Sequence, residues 1–141
     1  MSTPAAADAV AATAEIPAGA EADAAWVVAA RATLAQADAR LTKRFDAGEI
    51  VDKLVALRAR AVDELILDAW QRCIPADAGL ALFAIGGYGR GELFPHSDID
   101  LLVLADDAAQ VAQHAALARF LALLWDAGLQ ASQAVRSPAQ C

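Results

Sequence analysis

At 141 residues the chain has the length of one domain, and 58% hydrophobic residues let it bury a single core, though alanine supplies much of that fraction and only 6% are aromatic. A formal net charge of −7, from 11 Lys and Arg against 18 Asp and Glu, argues against broad electrostatic binding to nucleic acid or to an anionic membrane. It leaves room for one nucleoside triphosphate, which needs only local donors and a metal; the rest of the acidic surface is read as solvated.

Residues 1–25 are rich in alanine, carry Pro4, Pro17 and Gly19, and contain no Lys or Arg. So few bulky groups can offset ordering entropy that a disordered leader is expected, with a short solvated helix as the alternative. The segment lacks the basic start and compact apolar block of a signal peptide, and no apolar run is long enough to span a bilayer. The two cysteines, Cys73 and Cys141, are far apart and lack metal-ligand spacing. Cys73 reads as a small buried residue, and the expected location is a reducing cytoplasm.

Over residues 26–45, Val27, Ala30, Leu34, Ala37, Leu41 and Phe45 recur at helical spacing, with Arg31, Asp38, Arg40 and Lys43 on the other face. A second helix is expected over 49–73. Ile50, Leu54, Leu57, Ala61 and Leu65 form one stripe, and Val51, Val55, Val62, Ile66 and Ala69 widen it. Asp63 and Glu64 read as solvated. Together these helices form an expected hairpin unit over 26–78. Residues 80–85 are a continuous apolar run, which fits a strand covered on both faces. A glycine turn follows, with one or two helical turns over 88–94. A second strand is expected over 98–104, with Ile99, Leu101 and Val103 on one face and Asp98, Asp100, Leu102 and Leu104 on the other. A helix over 108–126, capped by Gly128, leads to a weaker third strand over 129–135. His114 and the rings of Trp26, Trp70 and Trp125 read as buried or interface residues.

The chemistry concentrates in Gly86-Gly87-Tyr88-Gly89-Arg90-Gly91-Glu92-Leu93, followed by Pro95-His96-Ser97-Asp98-Ile99-Asp100. Four of the eight glycines fall within six positions, more than a plain tight turn needs. The order matches neither a dinucleotide fingerprint nor a Walker loop, so the turn alone is a weak sign of anion binding. Asp98 and Asp100 are more specific. Two like charges at the edge of an apolar strand repel and resist desolvation, an arrangement that a cation between them relieves. Oxygen ligands favour Mg²⁺, with Mn²⁺ as the alternative, over zinc. Arg90 is a phosphate partner or an ion pair to Glu92 or the aspartates. Ser97 bonds a phosphate or caps the strand entry. Tyr88 reads as packing, and His96 as a loop residue near the site.

These residues resemble the nucleotidyltransferase superfamily of the DNA polymerase β type. More narrowly, they look like the N-terminal domain of the bacterial PII uridylyltransferase/uridylyl-removing family. Leu123-Leu124-Trp125-Asp126-Ala127-Gly128-Leu129 and Val135-Arg136-Ser137 extend the likeness, which runs from about residue 49 onward. The resemblance implies an α+β fold: a polymerase β-like core with a mixed sheet flanked by helices, preceded by the helical hairpin, with residues 79–141 forming part of that core. It implies transfer of UMP from UTP to a tyrosine of the PII signalling protein, with pyrophosphate released, and neither nucleic acid nor membrane as partner. Gly86 and Gly87 would hold the triphosphate, and Asp98 and Asp100 would ligate two Mg²⁺. Members of the family are much longer and usually add a third carboxylate on a later strand, which residues 129–135 do not offer here, and Ser132-Gln133 stand where relatives often show Gly-His. The expectation is therefore a piece of a longer enzyme lacking deuridylylation and glutamine sensing. A nucleotidyltransferase with another acceptor, and a nucleotide-binding module without turnover, remain as alternatives.

Overall fold

Two long helices begin the computed structural model, which describes residues 18–94 and 97–140: α1, Ala18–Asp46, and α2, Val51–Cys73. They run antiparallel, because their contacts step toward the connection. Trp26 Nε1 donates to Asp68 Oδ2 at 2.6 Å, Arg58 Nε to Asp38 Oδ1 at 3.0 Å, and Arg44 Nε to Glu49 Oε2 at 2.9 Å. Asp38 is thus drawn into the interface by Arg58, which is buried.

Of the expected leader, residues 1–17 lie outside the described residues; residues 18–25 are helical. Helix α1 is already formed at Ala18, eight residues before Trp26. In that stretch Asp23 accepts from Arg119 Nε and Nη2, each at 2.7 Å, which ties it to a distant helix. The stripes also end earlier than their pattern implies: Phe45 and Ile50, at the hairpin tip, are exposed.

A three-stranded sheet follows, in the order β1-β2-β3. β1 (Ala81–Ile85) pairs antiparallel with β2 (Ile99–Leu104), and β2 pairs parallel with β3 (Ala131–Arg136). The mixed α+β arrangement expected from the resemblance is present. Between β1 and β2 lies α3, the single turn Gly86–Gly89, shorter and earlier than the helical turns expected over 88–94. The β2–β3 crossover is two helices: α4, Asp107–Ala112, and α5, His114–Asp126. The expected single helix breaks at Gln113, whose backbone (φ −106°, ψ 12°) leaves the helical region. Asp106 caps α4 by accepting from the Ala109 amide at 2.7 Å. A 3₁₀ turn, Pro138–Gln140, ends the described chain.

Ile99, Leu101 and Val103 point from β2 into the core, where they meet Phe120, Leu124, Val62 and Ile66. Trp70 and Phe120 pack edge to face, with ring centroids 5.2 Å apart. Among the described residues, helices cover only this side of the sheet. The expectation that β1 is covered on both faces is therefore corrected: β1 is an edge strand, and Phe83 and Ile85 are exposed. Trp125 is also half exposed; its ring reaches out so that Nε1 can donate to the Ala131 carbonyl at 2.8 Å. His114 is exposed as well. Cys73 is buried, and burial pushes its thiol up. No helix among the described residues is long and apolar enough to cross a membrane.

Candidate functional site

Strand alternation puts Asp100 on the side of the sheet that the helices leave open, since the pattern along β2 alternates from buried Ile99 to half-buried Asp100. Its neighbours are set by register: Ile85 across the antiparallel ladder and Ser132 across the parallel one. The residue after Ile85 is Gly86, so the glycine turn begins beside this carboxylate. Asp98 stands immediately before β2 and is exposed.

The turn is shaped by close approaches that only glycine allows. Gly86 has φ +65°, and a Cβ on it would lie 3.0 Å from Asp100 Oδ2. At Gly89 a Cβ would come within 2.6 Å of the Ala84 carbonyl oxygen, so the turn folds tightly back on the end of β1. Downstream amides close it: Arg90 N donates to the Gly86 and Gly87 carbonyls at 3.2 and 3.1 Å, and Glu92 N to Gly87 at 2.9 Å. The first amides of such a turn have no partner within it, which leaves donors beside the carboxylate.

Two side chains hold this turn down. Leu93 is fully buried, and Tyr88 is buried with its hydroxyl donating to Asp63 Oδ1 on α2. Asp63, expected to be solvated, is thus the structural partner of the turn. Burial, and then the hydrogen bond to the Asp63 carboxylate, pushes the Tyr88 phenol far above its usual range, so it stays protonated.

The remaining candidates are dispersed. Arg90 is largely exposed, with Nε 3.7 Å from Glu92 Oε2, so it is held only loosely near the turn. Ser97 lines a small cavity on the helix side with Asp38 and Arg58, which no residue of the 86–91 turn lines. His96 lies outside the described residues. Sequence reasoning noted Ser132 only as a departure from a family pattern; here its Oγ donates to Asp100 Oδ1 at 2.9 Å.

The residues present fit a hard divalent cation. The donors are oxygen only, and the carboxylate beside the cradle at Gly86 has a defined orientation. Among the described residues no group of three or more His, Cys, Asp or Glu gathers. Two carboxylates are the usual protein share for Mg²⁺, which keeps water and substrate phosphate in its other positions.

Residues 64–130 match the family described as the nucleotidyltransferase domain, a span that includes the turn and β2. Over 123 residues the chain is 65% identical to a bifunctional uridylyltransferase/uridylyl-removing enzyme of Xanthomonas euvesicatoria pv. vesicatoria, which covers 87% of this chain and 14% of that protein. An enzyme of the same name from Methylococcus capsulatus is 47% identical over 116 residues, 82% of this chain and 13% of that protein. The chain thus spans about 14% of the length of the curated relatives it matches. No solved structure matches it.

Proposed function

We propose that this chain, which carries a nucleotidyltransferase domain, supplies the nucleotide-holding part of a uridylyl transfer. In this reading UMP passes from UTP to a tyrosine of the PII signalling protein, and pyrophosphate leaves. One observation supports it above others: a Cβ on Gly86, at the start of the turn, would lie 3.0 Å from Asp100 Oδ2, so the turn's backbone and the acid are side by side.

The first amides of the glycine turn, at Gly86 and Gly87, face phosphate oxygens of the triphosphate. Arg90, exposed and loosely paired, is free to swing toward the same phosphates. Ser97, expected from the sequence to donate to a phosphate or cap the strand entry, lines the helix-side cavity and is left out of this reading. Asp98 and Asp100 hold Mg²⁺, or Mn²⁺ in its place. When bound, the cation neutralises phosphate charge and makes an attacking hydroxyl more acidic. The tyrosine oxygen forms a bond to the α-phosphorus as the bond to the bridging oxygen breaks, and the phenolic proton is lost to solvent. What the protein contributes is alignment and charge placed in advance.

The test uses labelled UTP, Mg²⁺ and purified PII protein with the wild-type chain, Asp98→Ala and Asp100→Ala. Each substitution is expected to cut label transfer by at least about 100-fold, more than loss of an outer-sphere partner usually costs. Transfer that survives both changes removes the assigned mechanism. Calorimetry with UTP and Mg²⁺ identifies binding without turnover.

A further inference from the structure

Asp100 is held at one oxygen and has room at the other. Oδ1 accepts from Ser132 Oγ at 2.9 Å, while Oδ2 lies beside the space that Gly86 leaves by having no side chain, 3.0 Å from where a Cβ would be. A carboxylate on a strand turns about two side-chain torsions, and the hydroxyl gives them a fixed point. The Ser132 contact follows from register, since β2 and β3 pair in parallel with Asp100 opposite Ser132. Adjacent strands lie about 4.8 Å apart, a gap that short side chains on the same face bridge. The base of Ser132 is itself held: Trp125 Nε1 donates to the carbonyl of the preceding residue, Ala131, at 2.8 Å.

We propose that Ser132 is a positioning residue that aims the Asp100 carboxylate at the cation and triphosphate. The inference rests on the reading of the site given above. A hydroxyl donor uses one lone pair of Oδ1 and leaves the others for a ligand. Without it, the side chain rotates freely on the open face and must be ordered each time a ligand enters. Ser132 touches neither nucleotide nor metal; it acts through Asp100.

The test is Mn²⁺ binding to the 141-residue chain in the presence of UTP, read from the loss of the free-ion electron paramagnetic resonance signal. Wild type is compared with Ser132→Ala, Ser132→Thr and Asp100→Ala. Ser132→Ala is expected to weaken Mn²⁺ about 10-fold, the lower range for a residue that orients a metal ligand. Ser132→Thr keeps the hydroxyl, suits a strand, and restores wild-type affinity, while the thermal midpoint of all three strand variants stays that of the wild type. If Asp100→Ala loses the ion but Ser132→Ala binds like wild type, the role of Ser132 is overturned and the site stands. A Thr variant that fails to restore binding, or an Ala variant whose midpoint drops, makes the residue structural and overturns the role too. If the wild type binds no Mn²⁺, or Asp100→Ala binds it normally, the site reading fails and takes this proposal with it.

Discussion

At Gly89 the volume a side chain needs is already taken by the Ala84 carbonyl. Gly89→Ala must push the turn off the end of β1 and is expected to cost about 1–3 kcal/mol, the usual range for overpacking. A urea titration against Gly19→Ala, where a Cβ on α1 meets nothing within 4 Å, checks this: the first should lose stability and the second should not. The crowding of glycines was legible as a pattern, but which of them is indispensable was not, because the clash is with a strand residue five positions earlier. The same holds for the acids. Alternation was enough to put Asp100 opposite the face of Ile99, Leu101 and Val103. That Ser132 lies beside it depends on the register of a parallel pair joined through two helices, and no local spacing encodes that.

Among elements, α1 shows a distant charge pair ahead of an apolar stripe. Its stripe begins at Val27, yet residues 18–25 are helical too, and there Asp23 meets Arg119 and, at 3.6 Å, Arg72. The hydrogen bond from Arg119 holds the Asp23 carboxyl below the usual aspartate range. A group with a lowered folded value stabilises above its unfolded value of about 4 and loses that contribution as pH falls through the folded one. The stability difference between wild type and Asp23→Asn should therefore be present at neutral pH and shrink as pH drops below about 4, measured as thermal midpoints. Because Arg119 is 42% exposed, the whole effect is expected to be about 1 kcal/mol or less. β1 illustrates the opposite error. A solid apolar run looks like a strand enclosed on both sides, but periodicity cannot distinguish that from an edge strand with one bare face.

For the molecule as a whole, the hydrogen bond from Tyr88 to Asp63 joins the helical hairpin to the glycine turn. Tyr88→Phe is expected to cost about 1–2 kcal/mol by leaving Asp63 without this donor. Its pH signature has a definite sign. The unfolded phenol ionises near pH 10, while the folded one is held far higher by burial and by Asp63, so wild-type stability should fall as pH climbs past about 10. The Phe variant should lack that part of the slope; urea midpoints from pH 8 to 11 provide the measurement. The hairpin and the sheet were each readable from hydrophobic spacing. Their junction was not, since an aspartate on a helix looks solvated until its tyrosine partner is brought to it.

Among the described residues, β2 is the only strand with a neighbour on each side. Sliding or tilting it means breaking two ladders together, whereas β1, which leads into the glycines, is held along a single edge. The acid beside the glycines is thus carried by the strand braced from both sides, and the turn by the strand braced from one.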